Sequence, residues 1–306
     1  MSNILIGIVL QIAGMAILNI GTVIQKKGAD MLPDVHDQSL LKNLKNFLTN
    51  KPWLIGYIGI IVGTLLNLVA LGFGDLSILQ PLMGVGIIVQ IWFCGWYLKE
   101  KIGKNEIISL LVVLIGVILV GISSRDVPQK DFPELISLTI SPISIITLSI
   151  LTAVAIACYA YTALKKYAHA DILISTFSGL ISVVNYLFLK VLIGAIFTYG
   201  LTAELFASLA AWLILVIALV TGTICFAARQ VAYQHGRAVL VNNLFNAYNI
   251  ALPVLLGIVI LEEWIGMPVA NATIQIIGVV VILIGVFLLT KWELKTKNET
   301  SETTPG

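Results

Sequence analysis

Apolar residues in this chain do not alternate or return every third or fourth position; they run in long blocks separated by short polar breaks. Nine blocks stand out, at approximately 4–24, 52–73, 77–98, 106–123, 143–164, 172–197, 207–228, 238–261 and 268–290. A helix that crosses a bilayer needs about 20 mostly apolar residues, and lipid offers the backbone no hydrogen-bond partner outside its own helix. The pattern therefore predicts an all-α membrane protein with nine transmembrane helices. One polar break has a periodicity of its own. Within residues 28–51, Leu40, Leu41, Leu44, Phe47 and Leu48 recur at helical spacing beside Lys42 and Lys45, which predicts an amphipathic helix on the inner membrane surface. The tail 291–306 has little to bury and is expected to be disordered.

Composition agrees with this reading and charge orients it. Hydrophobic residues make up 58% of the 306 positions, charged residues 11%, and the mean hydropathy is +1.00, a membrane composition. Lys and Arg alternate from break to break: 15 of the 18 fall in residues 25–51, 99–105, 165–171, 229–237 and after 290, against Arg125 and Lys130 in the opposite set. Positive charge accumulates on the cytoplasmic side, so the N-terminus is expected outside and the C-terminus inside a cell membrane. Trp53, Trp96 and Trp292 then fall near the inner boundary, Trp212 and Trp264 near the outer one. Cys94, Cys158 and Cys225 all lie in apolar blocks and suggest neither disulfides nor a metal cluster.

Two stretches repeat. "GTLLNLVALGFGDLS", a segment ending "YLKEKIG" and "LIGVILVG" in the first half return as "GTICFAARQVAYQHG", "VILEEWIG" and "LIGVFLL" in the second. Gly63, Glu100 and Gly116 correspond loosely to Gly222, Glu262 and Gly285. The two sets run in opposite directions across the membrane, which predicts two inverted repeats (4+1+4): residues 1–123, a linking helix at 143–164, and residues 171–290. Inverted repeats mark secondary transporters, whose halves rock about a site near the midplane.

Enzyme chemistry is poorly represented. The chain has no His-Glu-x-x-His, no Gly-x-Ser-x-Gly and no P-loop, and His36, His169 and His235 all lie in breaks. No cofactor and no nucleic-acid partner is implied; the expected partners are the bilayer and a small-molecule or ion substrate. Polar residues inside the blocks are more informative. Asn242, Asn246 and Asn249 share one helical face, with Asn243 alongside and Pro253 one turn further on. Ser178, Ser182, Tyr186 and Lys190 step by four along another helix, beside Asn185. An intramembrane lysine needs water, a partner or a route to the surface. Asn67 and Gln90 from the first repeat complete the expected substrate site of Asn242, Asn246, Asn249, Lys190, Tyr186, Asn67 and Gln90, with Gln11, Asn19 and Tyr159 as further polar positions. Glu100, Glu262, Glu263 and Asp75 sit at block ends, where a carboxylate can attract a cation, although solvation is its usual fate.

At these residues the chain resembles the drug/metabolite transporter (EamA-like) superfamily, and within it the NIPA-like magnesium transporters. The likeness is carried by "IQKKGA" at 24–29, by "LSILQPLMGVGIIVQIWFCGWYLKEKIGKNEIISLLVVLIGVILVG", and by "GMPVANATIQIIGVVVILIGVFLL". Val241 and Asn242 stand where those proteins usually carry Thr-Pro. The resemblance implies nine spans and transport of Mg²⁺ or another divalent cation. The residues themselves leave two other readings: a transporter of small anionic or zwitterionic metabolites, favoured by Lys190 and the lack of intramembrane carboxylates, and a membrane scaffold or receptor without transport.

Overall fold

A computed structural model describes residues 2–70, 82–123, 130–165, 169–262 and 264–302, and every regular element among them is helical. In order these are α1 (Ser2–Asp30), α2 (Leu40–Thr49), α3 (Lys51–Ala70), α4 (Met83–Phe93, continued by a π-helical turn Cys94–Leu98), α5 (Lys104–Ser123), α6 (Phe132–Thr139), α7 (Pro142–Leu164), α8 (Ala170–Tyr199), α9 (Ala203–Ala207), α10 (Leu209–His235), α11 (Ala238–Val259) and α12 (Val269–Glu302). Among the described residues, seven helices are long and apolar enough to cross a membrane, in α1, α5, α7, α8, α10, α11 and α12; Lys51–Asn67 and Val85–Leu98 are shorter apolar helices. Asp75, between the second and third expected blocks, lies outside the described residues, as does Glu263.

The chain divides into two units. Unit 1 comprises 1–125, 230–243 and 269–306, and unit 2 comprises 126–229 and 244–268. The helices α10 and α11 thus contribute residues to both.

In unit 1, α1 and α3 pack antiparallel with almost no side chains between them. A Cβ on Gly21 would lie 2.7 Å from the Gly56 carbonyl, one on Gly63 would lie 2.6 Å from the Gly14 carbonyl, and one on Gly56 would run into the Gln25 backbone. Helices in lipid gain little from burying apolar surface against one another, so close backbone approach at small residues supplies the packing instead. The same device joins α5 to α12: Gly116 meets Gly278 and Ile282, and Gly285 meets Val113 and the Ser109 carbonyl. The paired positions descend on one helix as they ascend on the other, so these two helices are also antiparallel. Asn271 Nδ2 closes one end of the pair with a 3.0 Å bond to the Ser123 carbonyl.

Unit 2 has a conventional side-chain core, in which Val183, Leu187 and Val191 of α8 meet Phe132, Leu135, Ile214, Leu256 and Ile260. The short α6 starts with Asp131 accepting from the Glu134 amide at 2.9 Å. Asp-x-x-Glu before an apolar run is a capping-box-like start. The reading by hydropathy blocks passes over it because eight residues are too few to span.

Two polar segments are helical. The amphipathic segment at 40–48 is α2, with Leu41, Leu44 and Leu48 exposed. The tail, by contrast, does not lose its helix at 291: α12 runs on to Glu302. No proline or glycine interrupts the sequence between Gly285 and Pro305, so nothing local stops a helix already nucleated and propagating.

The glycine seam predicts a sharp contrast between two substitutions. Gly56→Leu should destabilise the purified protein by about 1–3 kcal/mol or more, lowering its thermal aggregation midpoint in detergent by several degrees. Gly103→Ala, which has nothing within 4 Å of the added carbon, should leave the midpoint unchanged.

Candidate functional site

The amino end of α11 is the best-defined polar centre of unit 1. After the π-helical turn Cys94–Leu98 the chain reverses through Lys99, whose φ of 57° is left-handed. That reversal delivers Glu100 to α11, where Oε1 accepts from the Ala238 amide at 2.6 Å and Oε2 from the Val239 amide at 3.2 Å. The first amides of a helix have no intrahelical partner and carry a partial positive charge, so the carboxylate satisfies both needs. Burial pushes the Glu100 carboxyl above the usual carboxylate range, while these two amides, Arg237 and Lys26 draw it back. The sequence places Glu100 at a solvated helix end; the fold instead half-buries it.

Arg237, just before α11, grips Glu106 of α5 with two bonds of 2.6 and 3.1 Å and donates to the Lys101 carbonyl at 2.6 Å. Glu106 also accepts from the Gly103 amide at 2.9 Å. Lys26, 7% exposed, pairs with Asp30 one turn along α1.

Unit 1 also holds a set of buried carboxamides. Gln25 and Gln90 are both 0% exposed, and neither end of either amide has a partner among the described residues. Gln230 accepts the Trp53 indole N–H at 2.8 Å through its oxygen, and Asn242 accepts the Tyr233 hydroxyl through Oδ1, while Asn243 donates to the Val239 carbonyl at 2.6 Å. The Gln230 and Asn242 nitrogens and the Asn243 oxygen have no partner among the described residues. These amides come from α1, α4, α10 and α11, and all belong to unit 1. Buried amides left without partners cost roughly 1–3 kcal/mol each, so such a concentration needs water or a ligand to satisfy it.

The residues anticipated from sequence divide between the units. Gln90 and Asn242 belong to the carboxamide set, and Asn67 is in the same unit, its oxygen against Gly14 and without a partner among the described residues. In unit 2, Asn249 is engaged structurally, accepting from Ser182 at 2.6 Å and donating to the Phe245 carbonyl at 2.8 Å. Asn246 is half-buried, whereas Tyr186 and Lys190 are exposed. The inner half of the stripe on α8 is bonded: Ser178 donates to the Cys225 carbonyl at 2.9 Å and Ser182 to Asn249. Asn185 bonds α10 through the Ala218 carbonyl at 2.6 Å and Thr221 at 3.0 Å. Arg229 lies with its guanidinium 4.6 Å from the Phe245 ring.

Sequence reading passed over Gln25, Gln230 and Lys26 because they lie at the edges of apolar blocks. Arg229 and Gln230 break the hydropathy of their block, yet α10 continues to His235. Gln234 accounts for part of that extension: it accepts from the Val35 amide at 3.1 Å and donates to the Pro33 carbonyl at 3.0 Å. Among the described residues no group of three or more His, Cys, Asp or Glu is arranged to hold a metal ion.

Long apolar helices with paired ends and carboxamides buried among them define a multi-pass membrane protein. A family model described as Magnesium transporter NIPA matches residues 2–295, and the chain belongs to that family. A relative described as probable magnesium transporter NIPA9, from Arabidopsis thaliana, is 40% identical over 109 residues, which cover 36% of this chain and 31% of the relative. The chain therefore spans under a third of that relative's length. No solved structure matches the chain.

Two outcomes test the ionic group. Arg237→Ala should destabilise the protein by about 3 kcal/mol, because Glu106 loses its bidentate partner inside the fold; the double variant Arg237→Ala/Glu106→Leu should recover most of that in thermal melts. Glu100 has a raised folded pKa, so its contribution is complete below the ordinary carboxylate value of 4.5 and is lost as pH rises through the folded value. Melting midpoints measured from pH 4 upward should show a downward component across that window which Glu100→Gln removes.

Proposed function

We propose that the chain is a secondary transporter or facilitator moving Mg²⁺ or another divalent cation across the membrane, a transport protein rather than an enzyme. Its nine apolar stretches cross the bilayer as two inverted repeats, with the N-terminus outside and the C-terminus in the cytoplasm. Family membership supports the substrate class, as does the printed description of the plant relative. The antiparallel α5–α12 pair supports the repeats, since Gly116 and Gly285, the residues that correspond between them, each lie in its contact.

The observation that carries the reading is the set of buried carboxamides, headed by Gln90 and Asn242, with amide atoms that have no partner among the described residues. Mg²⁺ gives up its waters reluctantly and keeps several of them in protein sites. Carboxamide oxygens can accept hydrogen bonds from those waters, and their nitrogens can donate to further water, without a fixed charge that would trap the ion. Passage requires such moderation: binding favourable enough to enter and weak enough to leave. Gln90, Asn242 and Asn67, all in unit 1, are the contacts proposed for the hydrated ion. A scaffold without transport would have no use for amides left unpaired.

A second reading, transport of a small anionic metabolite, is favoured by Lys190 and Arg229 in unit 2. Liposomes separate the two. With purified protein and an entrapped Mg²⁺-sensitive dye, Gln90→Leu and Asn242→Leu should each lower the initial Mg²⁺ influx at least tenfold while the protein stays monodisperse. Unchanged influx in both variants would overturn the cation site. Counterflow of labelled carboxylate metabolites that Lys190→Ala abolishes, without Mg²⁺ influx, would establish the anion reading instead.

A further inference from the structure

Between Lys99 and Glu106 acids and bases alternate along the sequence, Lys-Glu-Lys and then Lys-Asn-Glu, and the fold sorts them. Glu100 turns inward to the Ala238 and Val239 amides, and Glu106 to Arg237 and the Gly103 amide. Lys99, Lys101 and Lys104 are exposed. What is close to neutral as a sequence is therefore basic as a surface. The α5–α12 contact brings further lysines to the same end. Gly285 of α12 faces the Ser109 carbonyl and Val113 of α5. Continued along the two antiparallel helices, that register sets Lys104, the first residue of α5, against 290–294 of α12. Lys291 and Lys295 are exposed on α12, and Lys295 Nζ lies 5.6 Å from the centroid of the Trp292 ring. Glu293 is the one acidic residue between Gly285 and Asn298. The apolar span of α12 ends at Trp292 while its helix runs on to Glu302, so these lysines are held on a helix where it leaves the lipid. A Trp at such a boundary sits at headgroup depth.

We propose that this end of the α5–α12 pair is a binding surface for anionic phospholipid headgroups, with Lys104, Lys291 and Lys295 at its centre and Lys99 and Lys101 at its edge. The grounds are charge and depth. A lysine stem follows apolar surface while its ammonium reaches the phosphate layer, and basic clusters directly outside a spanning helix are drawn to negative lipid. Ammonium groups gathered from two helices repel one another; a headgroup phosphate between them turns that repulsion into a bridge from α5 to α12. A zwitterionic headgroup brings its own cation and offers less, so the surface selects lipids of net negative charge. At the opposite end of the same helix pair the protein supplies the closing contact itself, from Asn271 to the Ser123 carbonyl. Here the lipid supplies it. The inference goes beyond the transport reading and does not depend on which ion is carried.

Native mass spectrometry of the full-length protein in detergent, titrated with phosphatidylglycerol or phosphatidylcholine, tests this. The wild type should bind its first phosphatidylglycerol at least tenfold more tightly than phosphatidylcholine. Lys104→Gln/Lys291→Gln/Lys295→Gln should lose that preference. Lys42→Gln/Lys45→Gln/Lys51→Gln, which removes the same charge from α2 and the start of α3, should keep it. Equal binding of the two lipids by the wild type would overturn the proposal, as would a preference that the first triple variant retains or that both variants lose alike. A second measurement needs no variant: in nanodiscs, adducts of a photoreactive phosphatidylglycerol on the peptides holding 99–104 and 291–295 should exceed those of a photoreactive phosphatidylcholine at least threefold, and equal yields would overturn it as well. Inorganic phosphate should displace the bound lipid no better than sodium chloride of equal ionic strength. Stronger displacement by phosphate would assign the lysines to a soluble anion and remove the lipid site.

Discussion

A helix that begins inside a membrane protein brings with it backbone amides that nothing in lipid can satisfy. For α11 the answer is Glu100, and much of unit 1 follows from how that carboxylate is delivered. The π-helical turn Cys94–Leu98 and the left-handed Lys99 shorten and reverse the chain, so that a residue only two positions past the end of α4 reaches the Ala238 and Val239 amides. π-Helical turns recur at functional sites, and here the turn has a structural consequence that can be named. Arg237 then brings Glu106 to the same spot. Side chains from α5 and from the flanks of α4 and α11 thus converge on one helix terminus.

The rest of the unit lets that terminus exist. The glycine seam of α1 and α3 sets Gln25 against Gly56 and Gly28 against Trp53, and Trp53 carries its indole to Gln230. A bulkier seam would push these groups apart, and the indole would be left without its acceptor. Packing at small residues therefore does more than hold two helices together: it brings the carboxamides of α1 and α10 to the same depth.

Much of the architecture is legible in the hydropathy blocks, because a bilayer imposes one length and one polarity on whatever crosses it. Among the described residues, seven blocks hold helices long and apolar enough to span, and Lys51–Asn67 and Val85–Leu98 are shorter apolar helices. Block edges were the weak point. Polar residues at a helix end read as loop, yet Gln230 and Gln234 continue α10 because tertiary partners take up their amides. Site residues were legible to a similar degree. Gln90 and Asn242 stood out as amides in apolar surroundings. Glu100 and Lys26 did not, since a charged residue at a block edge has the same sequence signature whether it is solvated or folded inward. Asn249, chosen for its place on a polar face, turned out to hold α8 to α11 through Ser182; periodicity identifies the face but not whether its groups are already paired.

The pairing state of an amide, more than its position, separates structural polarity from functional polarity in this protein. Asn185, Asn249 and Ser178 are bonded within unit 2, and a bonded amide between helices contributes roughly 0.6–2 kcal/mol of adhesion. Gln25, Gln90 and the nitrogens of Gln230 and Asn242 have no such bond among the described residues. Such groups are left for water or a ligand to satisfy, so replacing them by apolar residues removes a binding capacity without breaking a helix–helix bond.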